Sequence, residues 1–425
     1  MKKASLVIKE IQDNQYNALL KEVYVDESLV ENQKQRYVKA IEKFISLYGD
    51  QDIEIYSTPG RSEVCGNHTD HQHGEVLAAA INLDIIGIVA KDDKAVKILS
   101  DDYDIQAIEI NDLTKRDEEI ETSEGLIRGV LARYQELGFK IGGFNAYMTS
   151  EVLQGSGLSS SAAFEVMVGT VLSGLYNEMS IDPVTIAQVG QYSENVYFGK
   201  PCGLMDQCAC SVGSLIHIDF KDNDHPVVNK IDIDFPEFKH SLCIVDVHAS
   251  HADLTNDYAS IPYEMKQVAK FFGKEFLRDV NEQDFYAQLP EVRKATNDRA
   301  VLRTIHLFEE NKRVEKAVSA LNNGDFDAFK KVIKASGESS FKYLQNIYSN
   351  NYTDQQAVSI ALALSEEILG SQGVCRVHGG GFAGTIQAFV KDEFVENYKA
   401  EIEKYFGIGS CHILKVRKYG GMKVL

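Results

Sequence analysis

A glycine- and serine-rich segment between a strand-like and a helix-like stretch is the feature that most limits how this chain can fold. It covers residues 154–163 and reads QGSGLSSSAA. Phe144, Ala146 and Met148 alternate ahead of it as in a strand, and a helical stretch follows it. Glycines let the backbone approach a ligand closely, and the positive end of the helix points at the same place. The order predicts a phosphate-binding loop with serine hydroxyls available to magnesium; a plain serine-capped helix start is the alternative.

Length and composition indicate a soluble globular protein. The 425 residues are 44% apolar and 25% charged, which is enough for two core-bearing domains. The formal net charge of -19 argues against nucleic acid or an anionic membrane as a bulk partner. The sequence has no apolar stretch of about 18 residues that would span a bilayer. Its seven cysteines follow no framework spacing and no signal peptide is recognisable, so we expect a reduced, cytoplasmic protein.

Periodicity predicts helices packed on mostly antiparallel sheets in both halves of the chain, an α+β fold. Helices are predicted over residues 33–48, 123–137, 159–177, 184–198 and 393–405, with four or five more between 262 and 370. Strands are predicted over residues 53–56, 85–90, 96–99, 106–110, 144–148, 214–220, 242–247 and 413–416, and on both sides of 379–384. The polar stretch 221–226 is the best junction, so the predicted domains are 1–220 and 221–425.

Residues 58–74 concentrate an arginine, carboxylates and three histidines among glycines. Carboxylate and amide groups suit the paired hydroxyls of a sugar, and a fixed cation such as Arg61 suits a phosphoryl group in transfer. A zinc site is a competing interpretation, because hydrolytic zinc sites also use close-set histidine and aspartate. Its ligands would be His68, Asp70, His71 and His73. A polar turn between two strands is the third interpretation.

A third group of glycines lies near the C-terminus, in residues 375–384. Gly379, Gly381 and Gly384 formally match the dinucleotide-binding fingerprint. That fingerprint must open a helix, whereas residues 385–390 alternate as in a strand. We therefore expect a glycine hairpin whose backbone lies close to another loop and which is able to close over bound phosphates.

Taken together, these segments resemble the motifs of the GHMP kinases, and specifically the galactokinase branch, over nearly the whole chain. The N-terminal signature GRxNxxGEHTDYxxGxVLPxAI is matched in register at residues 60–61, 66, 68–70, 74, 76–77 and 80–81. The GLSSSA motif is intact at residues 157–162, CGxMDQ at 202–207 and GGGFxG at 379–384. Four motifs in this order are far more specific than any one of them.

The resemblance implies the two-domain GHMP kinase fold, with the active site in the cleft between the domains. The N-terminal domain is expected to be α/β and similar to ribosomal protein S5 domain 2, and the C-terminal domain to be ferredoxin-like α+β. The implied activity is an ATP- and Mg²⁺-dependent sugar 1-kinase: galactokinase first, with galacturonate or another galactose-like sugar as the alternative. A non-catalytic galactose and ATP sensor is the alternative of another class, and the complete glycine-serine segment favours the kinase. We expect no nucleic-acid or membrane partner, and a monomer or weak dimer.

The resemblance also assigns roles to individual residues. Asp206 corresponds to the carboxylate that takes the proton from the anomeric hydroxyl, and Arg61 to the cation beside it. Glu194 corresponds to a magnesium ligand, together with Ser160 or Ser161. The implied sugar-binding residues are Asn67, His68, Asp70, Gly203 and Tyr258. The implied ATP-binding residues are Gly155, Ser156, Gly157, Leu158, Ser159, Ser160 and Ser161.

Departures from the family pattern fall mainly around the sugar pocket. They are Asn67 for a glutamate, Glu63 for an asparagine, His71 for a tyrosine, Leu153 for a proline, His378 for a threonine and Ala383 for a glycine. None of them touches the implied acid-base and magnesium residues. The galacturonate kinases of plants also lack that glutamate and carry the Asp-His-Gln found here at 70–72, which keeps a uronic acid as the alternative substrate.

Overall fold

The computed structural model describes residues 1–100, 105–152, 158, 160–231, 233–249 and 254–425. The first part of the chain contains β1 (Lys2–Lys3), α1 (Ala4–Gln12), α2 (Asn17–Tyr24), α3 (Val30–Tyr48), β2 (Asp52–Cys65), β3 (Glu75–Asp92), β4 (Ala95–Ser100), β5 (Ile108–Glu109), α4 (Ser123–Glu136), β6 (Gly143–Ser150), α5 (Ser160–Asn177), α6 (Pro183–Tyr192), α7 (Met205–Val212), β7 (Leu215–Asp219) and β8 (Val227–Ile231). The second part contains β9 (His240–Asp246), α8 (Thr255–Phe271), α9 (Glu282–Ala287), α10 (Leu289–Ala295), α11 (Asp298–Asn322), α12 (Phe326–Ser339), α13 (Ala357–Leu369), β10 (Gly373–Val377), β11 (Thr385–Lys391), α14 (Val395–Phe406), β12 (Cys411–Leu414) and β13 (Met422–Lys423).

Several helix boundaries follow from local chemistry. The Thr122 side chain accepts from the Gly125 amide at the start of α4, and Gly138, with φ +80°, follows its end. Asp182 accepts from the amides of residues 184 and 185 at the start of α6, and Pro183 occupies its first turn. These signals are readable from sequence, and the helices predicted over 33–48, 123–137 and 393–405 are confirmed.

Strand β2 is longer than its pattern predicts. It continues from Ile53 through Pro59 and Gly60 to Cys65, with register shifts between Pro59 and Arg61 and again between Glu63 and Cys65. From Glu54 to Cys65 the strand pairs with β3, and the register shifts accommodate Pro59 and Gly60 within the paired strand. Arg61 and Glu63 are thereby strand residues with fixed directions and not parts of a free turn.

The first sheet has the strand order β1-β2-β3-β6-β4-β5, and β13 pairs with β2, β7 with β3, and β8 with β7. Among the described strands of this sheet only the β4–β6 pair is parallel, which agrees with the mostly antiparallel sheets expected from the order of elements. Helix α5 is buried along most of its length and packs on β2 and β3. Its N-terminus lies beside Arg61 of β2, because the Arg61 amide donates to the Leu158 carbonyl just before the helix.

The second sheet has the order β10-β11-β9-β12 and is antiparallel throughout. In sequence its elements run strand, helices, strand, strand, helix, strand, which is the ferredoxin-like arrangement expected for this half. The glycine motif at 379–384 connects β10 to β11, so the prediction of a hairpin there is confirmed and the dinucleotide fingerprint is excluded.

The two sheets do not divide the chain cleanly at residue 220. Strand β8 lies beyond that residue and pairs with β7, and β13, close to the last residue, pairs with β2. The first sheet thus uses residues from both sides of the predicted division into 1–220 and 221–425, and the division itself stays a prediction. Among the described residues, no helix combines the length and apolarity needed to cross a membrane.

Candidate active site

Arg61 and Asp206 form a bidentate ion pair that links residues 58–74 to the CGxMDQ motif. The Arg61 Nε and Nη2 atoms each lie 2.6 Å from one carboxylate oxygen of Asp206. Burial opposes the charge of Arg61, but Asp206 outweighs it and raises the pKa of the guanidinium. Asp206 lies in the first turn of α7, where the helix dipole favours a carboxylate, and its side chain is 28% exposed. The sequence prediction that these two residues meet agrees with this geometry.

The glycine-serine segment lies against the same part of β2. The Arg61 amide donates to the Leu158 carbonyl at 3.3 Å, and a side chain at Gly60 would come within 3.2 Å of that carbonyl. Ser160 and Ser161 open α5 and are partly exposed. Gly155, Ser156, Gly157 and Ser159 lie outside the described residues, as does Leu153. ATP binding by this segment is therefore supported by Leu158 and the start of α5 alone and stays a proposal.

Glu194 belongs to a buried acidic cluster. It lies on a π-helical turn, Ser193–Phe198, that follows α6. The Gln207 side-chain amide donates to Glu194 at 3.0 Å and to Glu165 at 3.0 Å, and all three residues are at most 4% exposed. Burial and the neighbouring Glu194 raise the pKa of Glu165 well above its ordinary value. Two carboxylates thus share one neutral partner beside the start of α5.

The loop between β2 and β3, residues 66–74, carries three of the predicted sugar-binding residues and is called the sugar loop below. Gly66 has φ +102°, and a side chain there would lie 2.5 Å from the Glu75 carbonyl. The Thr69 hydroxyl oxygen lies 2.9 Å from the Gly66 carbonyl and 2.7 Å from the Glu75 carbonyl, which share its one proton. These contacts close the loop into a rigid turn, so its side chains have defined directions.

Asn67 is completely buried and its amide is fully engaged within the protein. Its nitrogen donates to Glu63 at 3.0 Å and to the Gly379 carbonyl at 2.7 Å, and its oxygen accepts from Asn346 at 2.8 Å. Glu63 in turn pairs with buried Arg376 at 3.0 Å. Asn67 therefore ties the sugar loop to the glycine hairpin, and its predicted contact with a sugar stays a prediction.

Asp70 and Gly203 are brought together although 133 positions separate them in sequence (203 − 70). A side chain at Gly203 would come within 2.2 Å of Asp70 Oδ2, so any larger residue there would force Asp70 to move. Asp70 Oδ1 lies 2.9 Å from the His71 Nδ1 atom. His68 bonds His71 at 3.1 Å and the Gly380 carbonyl at 2.9 Å. Four residues of two motifs thus form one polar cluster.

Tyr258, near the start of α8, lies against the glycine hairpin. Its hydroxyl donates to the Gly381 carbonyl at 2.9 Å, and a side chain at Gly380 would come within 2.6 Å of its ring. Burial, with a smaller contribution from Asp257, raises the pKa of Tyr258 to about 12. The hairpin expected to close over phosphates therefore contacts the predicted sugar residues through Asn67, His68 and Tyr258.

The zinc interpretation finds no support in the geometry. His73 stacks on Phe276, with ring centroids 3.7 Å apart, and bonds Asn223 at 3.0 Å, away from His68 and Asp70. Within the part of the chain that the structure describes, no three histidine, cysteine, aspartate or glutamate side chains are arranged to hold a metal ion.

Sequence reasoning missed the buried residues that contact the loop 66–74 and the carboxylates of the site. The His306 ring bonds the Asn67 carbonyl at 2.9 Å, and Glu310 accepts from the Gly66 amide at 3.1 Å, both from α11. Glu165 and Arg376 were also missed. One signal was readable: His306 and Glu310 are four residues apart on the buried side of α11, and Glu165 interrupts an otherwise apolar helix.

Two family models match the chain at the motifs described above. The GHMP kinases N terminal domain covers residues 125–214, and the galactokinase galactose-binding signature covers residues 42–91. The galactokinase of Actinobacillus pleuropneumoniae serotype 3 (strain JL03) is 32% identical over 383 residues, covering 87% of this chain and 94% of that protein. The galactokinase of Limosilactobacillus reuteri (strain DSM 20016) is 28% identical over 380 residues, covering 86% and 92%.

Solved structures share the fold. The crystal structure of Lactococcus lactis galactokinase complexed with galactose matches with a TM-score of 0.75 at 23% identity, covering 90% of this chain and 98% of that chain. The Methanococcus jannaschii mevalonate kinase matches with a TM-score of 0.60 at 16% identity, covering 86% and 98%. The predicted two-domain GHMP kinase fold is confirmed by these neighbours. Since a curated galactokinase is 32% identical to this chain and is covered over 94% of its length, the chain belongs to the galactokinase family of GHMP kinases.

Proposed function

We propose that this chain transfers the terminal phosphoryl group of ATP to the anomeric hydroxyl of galactose, giving ADP and galactose 1-phosphate. The Arg61–Asp206 pair is the observation that carries the proposal, because it joins the end of the glycine-serine segment to the sugar loop. Leu158 contacts the backbone of Arg61 on one side, and Gly203, three residues before Asp206, contacts Asp70 on the other.

The proposed chemistry assigns a role to each member of this pair. The Asp206 carboxylate accepts the proton of the anomeric hydroxyl, whose oxygen forms the new bond to phosphorus. The bond between that phosphorus and the bridging oxygen breaks, and its electron pair leaves with ADP. Arg61 aligns Asp206 through two hydrogen bonds and places a fixed cation beside the phosphoryl group in transfer.

The residues proposed for Mg²⁺ suit that ion. Glu194 and the hydroxyl of Ser160 or Ser161 are hard oxygen donors, which Mg²⁺ prefers. Among the described residues, the Glu165 Oε1 and Gln207 Oε1 atoms next to Glu194 are buried without a hydrogen-bond partner. A Mg²⁺ ion held by these residues would supply positive charge to neutralise the phosphates of ATP.

Galacturonate is the second candidate substrate. Among the described residues of the sugar loop and its neighbours, Asp206, Glu63 and Asp70 each contact a cationic or histidine partner, and Asn67 replaces the family glutamate. No unpaired carboxylate of this group would repel an acidic sugar. This pairing of the carboxylates is compatible with an acidic sugar but gives no contact that would favour one over a neutral sugar. Galactose therefore remains the first candidate.

The decisive experiment measures ADP release with a panel of galactose, galacturonate, N-acetylgalactosamine, arabinose and glucose, with the phosphorylated position assigned by ³¹P NMR. We expect turnover with galactose at the anomeric oxygen. Asp206→Asn should lower kcat by about 10²-fold or more while both substrates still bind. Asp224→Asn, an equivalent change at an exposed carboxylate, is the control. Galactose and ATP binding without turnover in the wild type would support the sensor alternative instead.

A further inference from the structure

Three side chains of the sugar loop form a row of polar contacts whose proton positions follow from their partners. The His68 Nε2 atom lies 2.9 Å from the carbonyl oxygen of Gly380. Its Nδ1 atom lies 3.1 Å from the His71 Nε2 atom. The His71 Nδ1 atom lies 2.9 Å from Asp70 Oδ1. The row therefore runs from Gly380 through His68 and His71 to Asp70.

The first proton is fixed by the backbone. A carbonyl oxygen only accepts hydrogen bonds, so His68 carries a proton on Nε2. Burial, with the charge of His71 next, lowers the pKa of His68 to about 3, so its ring is neutral near pH 7. A neutral ring with a protonated Nε2 has a lone pair on Nδ1. The His71 Nε2 atom must therefore donate to His68.

The second proton is fixed by the carboxylate. Burial opposes the charge of Asp70, but His71 outweighs it and holds the pKa of that carboxyl well below its usual range. The His71 Nδ1 atom lies 2.9 Å from Asp70 Oδ1, and an ionised carboxylate oxygen would repel a bare nitrogen lone pair at that distance, so Nδ1 carries a proton as well. With both ring nitrogens protonated, His71 is an imidazolium. The tyrosine of the family signature has a single hydroxyl proton and could not donate in both directions.

The charges around His71 agree with this assignment. Asp70 on the same turn and Glu63 on β2 favour the imidazolium, whereas burial and Lys266 on α8 oppose it. The balance raises the pKa of His71 above its ordinary value. The His71 side chain is 34% exposed, so its protons can exchange with solvent.

The contact with His71 decides where Asp70 points. Asp70 Oδ1 accepts a hydrogen bond from the His71 amide at 2.9 Å and forms an ion pair with the His71 ring at 2.9 Å. Oδ2 is directed at Gly203, where a side chain would come within 2.2 Å. We propose that His71 is a positioning residue of the sugar site: its imidazolium holds Asp70 Oδ1 and thereby aims Oδ2 at a sugar bound beside Gly203. This inference rests on the proposed function, because it assumes that a sugar occupies this place.

The first test reads the charge of His71 directly and needs no substrate. The full chain is labelled with ¹⁵N-histidine, and the His71 signals are assigned by comparison with His71→Gln. Both ring nitrogens of His71 should be protonated at pH 7, with loss of one proton only at higher pH. A neutral His71 ring at pH 7 would overturn the proposal, whether or not the Gln variant folds well enough for binding studies.

The second test titrates galactose calorimetrically in the absence of ATP between pH 6 and pH 10. The wild-type Kd should be constant at low pH and rise as pH passes the pKa of His71, because the protonated ring is the form that holds Asp70. His71→Gln should bind galactose roughly 10- to 100-fold more weakly at pH 6, with a flat profile, since a charge-assisted hydrogen bond is lost. ATP affinity should not change.

The control is His225→Gln, the same substitution at a histidine whose side chain is 86% exposed, which should behave as wild type. Equal galactose affinity and equal pH profiles for His71→Gln and wild type would overturn the positioning role. A wild-type protein that binds no galactose at any pH would overturn the proposed function and the positioning role with it. In that case the NMR result still establishes the charge of His71, so the two failures are distinguishable.

Discussion

The proposed sugar side and the proposed phosphate side of the site accommodate buried and partly buried carboxylates in opposite ways. On the sugar side the pairs are Asp206 with Arg61, Glu63 with Arg376 and Asp70 with His71. On the phosphate side Glu165 and Glu194 share the amide of Gln207. The only ion pair of this second cluster among the described residues is a 3.8 Å contact between Glu194 and Lys200, whose side chain is 65% exposed.

This difference indicates what each side is built to bind. A buried charge is costly unless it is paired, and on the sugar side the protein supplies the partners itself. That side can therefore receive an uncharged ligand without a counterion. On the sugar side Arg376 opposes the burial that raises the pKa of Glu63. On the phosphate side, among the described residues, no comparably close positive charge faces Glu165, whose pKa is raised by burial and by Glu194. A divalent cation bound there would supply that charge, which is the arrangement expected for a Mg²⁺–ATP site.

The largest expected effect comes from breaking a sugar-side pair. Arg376→Met leaves Glu63 buried without its cation and should lower the free energy of unfolding by about 3–5 kcal/mol, measured by urea denaturation. Arg293→Met removes an exposed pair with Asp298 and should cost about 0–1 kcal/mol. If the two variants were equally stable, charge pairing on the sugar side would not be a structural requirement.

Arg61→Met should come next. It leaves Asp206 without its two hydrogen bonds and removes the cation beside the phosphoryl group, so kcat should fall by about 10²- to 10³-fold in a coupled ADP assay. Arg116→Met removes an arginine whose side chain is 39% exposed and should leave kcat unchanged. Wild-type kcat in the Arg61 variant, with chemistry rate-limiting, would remove this pair from the mechanism.

Glu194→Gln tests the phosphate side. Loss of one carboxylate should raise the Mg²⁺ concentration for half-maximal rate by about tenfold or more and weaken Mn²⁺ binding followed by EPR. The matched control is Glu136→Gln, at a side chain that is 48% exposed. Ser160→Ala and Ser161→Ala in the same assays identify the serine ligand. Unchanged metal affinity in the Glu194 variant would mean that Glu194 is not a ligand of the Mg²⁺ ion.

The smallest effect is expected at Glu165, and it depends on pH. Its pKa is raised by burial and by Glu194, so the native protein keeps a proton there that the unfolded chain releases above about pH 4.5. The stability of the metal-free protein should therefore fall as pH rises toward the native pKa. Glu165→Gln cannot titrate and keeps an acceptor for Gln207, so the variant should lose less stability between pH 5 and pH 8. Parallel urea midpoints for the two proteins would contradict this.

Local sequence patterns predicted the elements that local forces determine. The cap at Thr122 and the glycine at 138 set the limits of α4, and the alternation on both sides of 379–384 gave the β10–β11 hairpin. The pattern failed at β2, where Pro59 and Gly60 favour a turn but the pairing partners on β3 extend the strand. Long-range hydrogen bonds outweighed local preference there, as they commonly do in sheets.

The motifs likewise identified Arg61 and Asp206, because the residue types needed for phosphoryl transfer stand in a recognisable order. They did not reveal the partners of Glu63, which is paired with a residue 313 positions away. Nor did they reveal that the Asn67 amide contacts Glu63, Gly379 and Asn346, while its predicted contact with the sugar stays a prediction. Residues this far apart leave no periodic trace in a single sequence, so only their contact shows the relation.

By itself, then, the sequence determined the family, the α+β class, the helices with clear caps and the chemical groups available at the site. The tertiary structure decided which of those groups carry charge and where they point. His71 is an imidazolium because Gly380, from the far end of the chain, fixes the tautomer of His68 while Asp70 stays ionised. The charge state of a side chain depends on the atoms packed around it, and those atoms are assembled only when the chain folds.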